Sequence, residues 1–168
     1  MNHTMPQDSL QIILDRLANN LKRDVLVQEN LNNIRFTLDI DRVVLYYFYK
    51  HWKGQVTCES VNSSDLSIFG STGPDECFNG EYAALYEAGR VRAIPDIETE
   101  PIEACHRNLL RTMKVRANLV VPILTRGGLW GLLIAHHCSG PHPWLASDIE
   151  FMQEKAKDIA TAPVVIDN

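Results

Sequence analysis

The chain has 168 residues and a formal charge of −5, with 45% hydrophobic and 22% charged residues. This composition is typical of a globular protein with one buried core, and it excludes a disordered chain. The negative charge argues against nucleic acid or an anionic membrane as a partner. No apolar run approaches the roughly 18 residues of a membrane span, and the N-terminus lacks a signal pattern, so we expect a cytoplasmic protein.

The first predicted element is an amphipathic helical segment that extends, with a bend near residue 24, to about residue 37. Residues 43–49 and 55–61 are rich in β-branched and aromatic side chains, which predicts a hairpin that turns at Lys53-Gly54. Residues 62–76 have turn composition and no apolar period, so we expect a long surface loop, and such loops are often functional. The apolar face of the first helix consists of Leu10, Ile13, Leu14, Leu17 and Leu21.

The second half of the chain alternates short helices with strands. A helix over about 79–88 is expected to end at Gly89, because glycine adopts the left-handed conformation after a helix at little cost. A short strand over 90–94 and a helix over 102–113, begun by Pro101, come next. The strongest pattern is a pair of apolar runs at 118–124 and 129–138, which Gly127-Gly128 joins as a hairpin of central strands.

A closing helix follows, for which Ser147 and Glu150 have the spacing of a capping box. An irregular tail is expected after residue 160. We therefore predict one α+β domain over residues 1–168: an antiparallel sheet with helices on its faces and amphipathic helices at both ends. The helical segments at about 1–37 and 146–168 either cover one sheet face or pair with a second copy and pass a signal to flanking domains.

Four cysteines are spread along the chain: Cys58, Cys77, Cys105 and Cys138. They are too few for a disulfide scaffold, and no Cys-x-x-Cys pair is present, so we expect no metal site. Cys105-His106 lies on a predicted helix, where an accessible, ionised thiol can act as a nucleophile beside the imidazole. The alternative is core packing, which we expect for Cys58 and Cys138, since free cysteine behaves as a small hydrophobic residue.

Three segments narrow the interpretation: Ala-Cys-His at 104–106, Val-Arg-Ala-Asn-Leu-Val-Val-Pro-Ile at 115–123 and Leu-Trp-Gly-Leu-Leu-Ile-Ala-His-His at 129–137. Together they resemble the bilin-binding GAF domains of phytochromes and, more closely, of cyanobacteriochromes. The resemblance covers most of the chain and implies the GAF fold. It also implies that Cys105 forms a thioether with ring A of a linear tetrapyrrole. His106 would lie against this pigment and hydrogen-bond its inner pyrrole groups.

A second motif, Asp75-Glu76-Cys77-Phe78, resembles the Asp-Xaa-Cys-Phe signature of one cyanobacteriochrome branch. The resemblance implies that Cys77 adds reversibly to the central methine carbon of the bilin, which shortens the conjugation and gives a violet or blue-absorbing state. Light would isomerise the double bond between rings C and D and so control the Cys77 bond. Asp75 would accept hydrogen bonds from pyrrole N–H groups. The alternatives are a helix cap for Asp75 and an ordinary loop thiol for Cys77.

Further pigment contacts follow from the same resemblance. His136 has the spacing from Cys105 of a phytochrome histidine near ring D, and a buried histidine with satisfied hydrogen bonds is the alternative. Strand alternation places His136 and His137 on opposite faces. Phe78 and Tyr82 are expected to pack on the pigment, although aromatic residues also simply fill cores.

The propionates of a bilin need cations or hydroxyls. The family often carries a basic residue where this chain has Leu85, so the sequence departs from the pattern there. Arg90 is the expected replacement, and four further basic residues are alternatives to it, although each is also typical of a solvated surface. These alternatives are Arg92, Arg111, Lys114 and Arg116.

The leading hypothesis is a photoreceptor module, not an enzyme, which attaches phycocyanobilin or phycoviolobilin to itself. Its expected partners are the neighbouring signalling domains of a larger receptor and a second copy paired through the terminal helices. Two alternatives stay open. One is a GAF domain that binds a cyclic nucleotide or another small ligand without using Cys105. The other is a redox sensor in which Cys77 and Cys105 oxidise to a disulfide.

Overall fold

The structure, a computed structural model, describes residues 7–72 and 80–167. Helices and strands alternate along it much as the sequence predicts. In chain order the elements are α1 (Gln7–Arg23), α2 (Val25–Leu38), β1 (Arg42–Lys50), β2 (Lys53–Val61), a 3-10 helix (Ser64–Leu66), α3 (Gly80–Glu87), β3 (Arg92–Ile94), α4 (Ala104–Thr112), β4 (Ala117–Thr125), β5 (Gly128–His137), α5 (Ala146–Ala160) and α6 (Pro163–Ile166).

Five strands form one antiparallel sheet in the order β2-β1-β5-β4-β3. The two predicted hairpins, β1–β2 and β4–β5, are joined in the middle of the sheet by the pairing of β1 with β5. Gly131 permits this pairing, because a Cβ at that position would lie 2.2 Å from the backbone oxygen of Tyr46. The predicted α+β fold with a central antiparallel sheet is therefore confirmed.

One face of the sheet packs against α1, α2 and α5 and forms the main apolar core. Successive strand residues point to opposite faces, so only every second residue of β4 and β5 contributes to this face. The fully buried members include Leu119, Val121, Leu133 and Ala135 from the strands and Leu31, Ile34, Met152 and Ile159 from the helices. This face is called the helical face below.

The helices at the two ends of the chain cover the helical face together, since α1 contacts α2 and α6 while α2 contacts α5. The break between α1 and α2 falls at Asp24, whose carboxylate accepts a hydrogen bond from the Val27 N–H at 3.0 Å and caps α2. Leu17 and Leu21 are buried as predicted, but Ile13 is 44% exposed. The buried stripe of α1 is thus narrower than its apolar spacing predicts.

The first hairpin turns at a different place from the one predicted. Lys50 pairs with Lys53 in the ladder, so the turn consists of His51 and Trp52, whereas Lys53-Gly54 belongs to β2. The composition of residues 53 and 54 is typical of a turn, but the cross-strand register decides the turn position.

The C-terminal region also differs in detail from the prediction. The Asp148 carboxylate accepts a hydrogen bond from the Leu145 N–H at 2.9 Å, so the Ser147–Glu150 capping box is wrong. The tail predicted to be irregular contains α6, in which Pro163 occupies the first turn, where its missing N–H costs nothing. In the part of the chain that the structure describes, no helix is long and apolar enough to cross a membrane.

Candidate functional site

The face of the sheet opposite the helical face borders a cavity of about 540 Å³. We call it the cavity face. The volume lies within the ~300–1,000 Å³ range of pockets that enclose small organic ligands. Residues of α3 and α4 and of the segments beside them line the rest of the cavity. The strand side chains that form its floor are Val44, Tyr46, Val56, Asn118, Val120, Leu132, Ile134 and His136.

Cys105 and His106 lie in the first turn of α4, and both line the cavity. Cys105 is exposed and His106 is half-buried. Burial, followed by the charges of Arg92 and Arg90, lowers the pKa of His106 below its usual 6.5. The imidazole is therefore neutral at pH 7 and offers one donor and one acceptor nitrogen. Cys105 is disulfide-bonded in this structure, so a ligand can react with its sulfur only after reduction.

Arginines hold α4 in place relative to the sheet. Arg107 donates from Nε to the carbonyl of Ile97 at 3.0 Å and from Nη2 to the carbonyl of Glu100 at 2.6 Å. Arg116 forms a bidentate pair with Asp96, with N–O distances of 2.7 and 3.0 Å. These contacts fix the loop before α4 and thereby the position of the Cys-His pair that follows it.

Arg90 and Arg92 place two guanidinium groups on the cavity wall. The guanidinium of Arg90 lies 5.9 Å from the ring centroid of Tyr82 and 5.7 Å from that of Tyr86, within the range of a cation–π contact. Arg92 Nη2 lies 3.7 Å from a carboxylate oxygen of Glu100. Two half-buried cations make this part of the wall suitable for an anionic group of a ligand.

The other basic residues considered from the sequence lie away from this wall. Arg111 forms a bidentate pair with Glu98, with N–O distances of 2.9 and 2.5 Å, and Arg116 is engaged by Asp96. Neither they nor Lys114 belong to the cavity lining, and Leu85 is 48% exposed outside it. Basic residues in α4 and in the segment after it therefore do not substitute for the basic residue that the family often has at the position of Leu85.

His136 is 1% exposed and lines the cavity from β5. Its Nδ1 accepts a hydrogen bond from Arg42 Nε at 3.1 Å, whereas its Nε2 has no hydrogen-bond partner among the described residues. Asn118, its partner in the β4 register, is also buried, and its Oδ1 likewise lacks a partner in the described ranges. The alternative of a satisfied core histidine thus holds for only one of the two ring nitrogens. Buried unpaired groups at a cavity wall are suited to contact a ligand.

His137 lies outside the cavity lining, as strand alternation predicts, and its Nδ1 is 3.2 Å from Asp41 Oδ2. Cys58 is 3% exposed, and burial raises its pKa to about 12, which confirms core packing. The core prediction for Cys138 is wrong, because β5 ends at His137 and the next residue is only half-buried.

The structure brings five of the eight predicted pigment residues to one cavity: Tyr82, Arg90, Cys105, His106 and His136. The other three, Asp75, Cys77 and Phe78, lie outside the described residues. Their roles stay predictions from the sequence.

Sequence reasoning missed four residues at or behind the cavity wall: Arg42, Tyr46, Trp52 and Asn118. Tyr46 and Trp52 belong to an aromatic cluster around Phe48, with ring centroids 5.4 and 5.3 Å from its ring. Counting alternate residues across the β4–β5 hairpin from His136 would have found Asn118. Arg42 gives no signal beyond a charge next to an apolar run.

Comparison with known proteins places the chain in a broader context. Residues 22–162 match the GAF domain family. The chain is 47% identical over 152 residues to an uncharacterized protein of Picosynechococcus sp., with 90% of this chain and 93% of that protein aligned. It is 39% identical over 139 residues to a putative methyl-accepting chemotaxis protein of Synechocystis sp., which aligns 83% of this chain but spans only 14% of the relative.

Solved structures of similar proteins have the same fold. A cyanobacteriochrome receptor PixJ is 33% identical, with a TM-score of 0.77 over 86% of this chain and 95% of that chain. The blue-light-absorbing form of the Thermosynechococcus elongatus PixJ GAF domain is 32% identical, with a TM-score of 0.73 over 94% and 88% of the two chains.

Proposed function

The chain belongs to the GAF domain family, and from that premise we propose that it is a photosensory module that binds a linear tetrapyrrole in the cavity. The observation that carries the proposal is the presence of Cys105 and His106 on the wall of a cavity of about 540 Å³. The similarity to a GAF domain solved in a blue-light-absorbing form supports a role in light absorption.

The polar groups on the cavity wall suit a bilin. Such a pigment has carboxylate side chains, for which Arg90 and Arg92 supply the cations. Its pyrrole N–H groups need acceptors, and a neutral His106 offers one. Asp75, whose role is a prediction from the sequence, would offer a carboxylate. The flat apolar rings would pack against Tyr82 and against Ile134 of the floor. When bound, the pigment supplies the light absorption and the isomerisable double bond between rings C and D.

Cys105 would hold the pigment permanently. Its sulfur would bond to the side chain of ring A, and the thiol proton would go to the neighbouring carbon of the same double bond, so the addition would need no external oxidant. The thiolate is the reactive form, and the exposed position of Cys105 at the start of α4 makes it accessible. The reaction is a self-attachment, so the module is a binding domain and not an enzyme acting on other substrates.

Cys77 would provide a second, reversible bond, as in the Asp-Xaa-Cys-Phe branch. Its sulfur would bond to the central methine carbon, and the thiol proton would move to a ring nitrogen, which would interrupt conjugation and shift absorption to the violet or blue. Release of the thiol restores the longer-wavelength state. Phe78 would pack on the pigment. Phycocyanobilin and its isomer phycoviolobilin are the pigments expected in this branch.

The signal would pass to other domains through the terminal helices. The chain spans 14% of the chemotaxis relative and 25% of a circadian input-output histidine kinase of Synechocystis sp., to which it is 32% identical over 189 residues. We therefore propose that a domain of this kind works beside neighbouring signalling domains. On the helical face, α2 contacts both α1 and α5, and all three helices contact strands, so both ends of the domain are coupled to the sheet.

Expression in cells that make phycocyanobilin tests the proposal. Under reducing conditions we expect a coloured protein whose pigment stays attached in a denaturing gel, where zinc makes covalent bilin fluorescent. Cys105→Ala should lose this attachment, because no other described cysteine lines the cavity. Cys138→Ala is the matched control, since Cys138 is a half-buried thiol outside the cavity lining, and it should remain coloured.

The second bond has its own test. Cys77→Ser should leave a covalently coloured protein without the short-wavelength state, as absorbance spectra before and after illumination would reveal. An unchanged violet or blue band in Cys77→Ser would contradict the two-thiol mechanism. A colourless wild-type protein that binds a cyclic nucleotide equally well with and without Cys105 would overturn the whole proposal.

One observation favours a second function, a thiol-based redox sensor: Cys105 is disulfide-bonded in this structure. That function predicts a reversible, oxidant-dependent mass change in bilin-free protein, which Cys105→Ala abolishes. Mass spectrometry after oxidant and after reductant measures it. Light-driven colour change in fully reduced protein would show instead that the thiols serve the pigment.

A further inference from the structure

Arg42 is the first residue of β1, and its side chain is fully buried. It forms none of the ion pairs found among the described residues. Burying a charged group is costly unless hydrogen bonds compensate for the lost water. The hydrogen-bond partners of its guanidinium therefore indicate which parts of the structure the buried side chain holds together.

The guanidinium donates three hydrogen bonds to three different segments. Nη1 donates to the carbonyl of Leu66 at 2.5 Å, and Nη2 donates to the carbonyl of Met113 at 2.7 Å. Leu66 ends the 3-10 helix of the long loop, and Met113 caps α4, the helix that carries Cys105. Nε donates to His136 Nδ1 at 3.1 Å. Arg42 thus ties His136 to two segments that border the cavity.

The bond to His136 determines where the imidazole proton lies. A guanidinium can only donate, so Nδ1 of His136 must carry a lone pair. Burial, followed by the charge of Arg42, also keeps the pKa of His136 well below 6.5, and the ring is neutral at pH 7. The single ring proton is therefore on Nε2, the nitrogen without a partner in the described part of the chain.

His136 Nε2–H and Asn118 Oδ1 form a donor and an acceptor on neighbouring strands of the cavity floor. Both are buried without partners among the described residues, a condition that costs free energy until a ligand satisfies them. A lactam offers an N–H and a C=O side by side and so matches this pair. Lactam groups close both end rings of a linear tetrapyrrole.

We propose that Arg42 is a positioning residue of the pigment site: it fixes His136 as the tautomer protonated on Nε2, so that His136 faces the cavity as a hydrogen-bond donor. The identity of the ligand rests on the proposed function, whereas the tautomer is a property of the protein alone. Arg42 does not itself line the cavity and acts through His136.

The first experiment reads the tautomer in the wild-type protein without pigment. Long-range proton–nitrogen NMR correlation of histidine-labelled, reduced protein at pH 7 distinguishes a protonated ring nitrogen from one with a lone pair, and His136→Gln assigns the signals. We expect the proton on Nε2 and a lone pair on Nδ1. A proton on Nδ1, or on both nitrogens, would overturn the inference whether or not the protein binds a bilin.

The second experiment removes the donor. Arg42→Met should give a mixture of His136 tautomers and, with phycocyanobilin attached, a shifted absorption maximum and reduced photoconversion. Arg42→Lys, which keeps a donor and a charge, should restore both in part. Arg35→Met is the matched control, because Arg35 also donates from Nε, to Ser60 Oγ at 2.9 Å, but lies outside the cavity lining.

The outcomes separate the two proposals. Pigment attachment to Arg42→Met with an unchanged tautomer and spectrum would overturn the role of Arg42 and leave the photosensor intact. If the wild type attaches no pigment, the photosensor fails and the ligand part of the inference fails with it, while the NMR result still decides the tautomer. If Arg42→Met does not fold, the wild-type NMR spectrum still decides the tautomer, and Arg42→Lys tests the role of Arg42.

Discussion

The two faces of the sheet are made of alternate residues in the same strands, yet they differ in chemistry. On the helical face, Leu133 and Ala135 are completely buried among aliphatic side chains of the helices. On the cavity face, their neighbours Ile134 and His136 border open volume, and one buried nitrogen of His136 has no partner among the described residues. The helical face is fully packed without a ligand, whereas the cavity face has buried polar groups that lack hydrogen-bond partners among the described residues.

In each strand, residues on the helical face therefore contribute mainly to stability, and residues on the cavity face are available for ligand binding. A closely packed apolar face contributes stability in proportion to the area it buries. A face with a cavity and unpaired polar groups gives up some stability, which a ligand can restore by binding the folded state. Because strand side chains alternate, adjacent residues of β5 lie on different faces of the sheet. Mutations at neighbouring positions should therefore change the free energy of unfolding by different amounts.

The largest expected effect compares Leu133→Ala with Leu132→Ala. Leu133 is fully buried on the helical face, whereas Leu132 is 6% exposed and lines the cavity. We expect Leu133→Ala to lower the free energy of unfolding by up to about 5 kcal/mol and Leu132→Ala by about 2 kcal/mol, because Leu132 loses fewer contacts beside an existing cavity. Urea unfolding of reduced, bilin-free protein measures both. Equal losses would mean that the two faces are equally well packed, and the reverse order would mean that the cavity face is the more closely packed one.

An intermediate effect is expected for Asp41, which joins the start of β1 to the end of β5. Its Oδ2 accepts hydrogen bonds from the Cys138 N–H at 2.6 Å and from Ser139 Oγ at 2.9 Å, and its Oδ1 accepts from Asn62 at 2.8 Å. Asp41→Ala leaves these donors without the carboxylate, so we expect a loss of about 1–3 kcal/mol at pH 7. Asp15→Ala, at an exposed position of α1, is the control and should change little.

The stabilisation by Asp41 should depend on pH. Burial raises the pKa of this carboxyl, but the hydrogen bonds from Cys138, Asn62 and Ser139 outweigh burial and lower it below 3.8. A carboxyl with a depressed folded-state pKa stabilises the fold fully above its unfolded pKa, and this contribution is lost as the pH falls through the folded pKa. The difference between wild type and Asp41→Ala should therefore shrink as the pH falls below about 4. A constant difference down to strongly acidic pH would contradict this account.

The smallest expected effect concerns His106 on the cavity face. Burial is the main cause of its lowered pKa, and the charge of Arg92 comes next. Arg92→Gln should therefore raise the pKa of His106 only part of the way towards 6.5, as an NMR titration of bilin-free protein would show. Arg111→Gln removes a cation that pairs with Glu98 outside the cavity, and it should leave His106 unchanged. Equal shifts in both variants would mean that overall charge, not cavity geometry, sets the pKa.

Much of the fold could be predicted from local patterns. A short segment is enough to predict the β4–β5 hairpin, because it contains both apolar runs and the turn residues between them. Cys105-His106 could be identified as a candidate site because the motif is contiguous in the chain. Arg42 could not, because its role depends on His136, Leu66 and Met113, which are far from it in sequence.

The errors in the prediction have the same origin. Ser147 and Glu150 fit a capping box by spacing, but the chain reaches α5 from a direction in which Asp148 is the residue that accepts from the backbone. Cys138 follows an apolar run and was expected in the core, yet the sheet ends one residue earlier. Local spacing cannot include the entry angle of a chain or the end of a ladder, since both depend on packing.

The sequence by itself determined most of the elements, the two hairpins and the Cys-His motif, because periodicity, turn chemistry and a contiguous motif are properties of neighbouring residues. Only the tertiary structure decided which face of the sheet holds the cavity, which arginines reach its wall and where the proton of His136 lies. Those features depend on the pairing of β1 with β5 and on the position of α4, which bring together side chains that are distant in the chain.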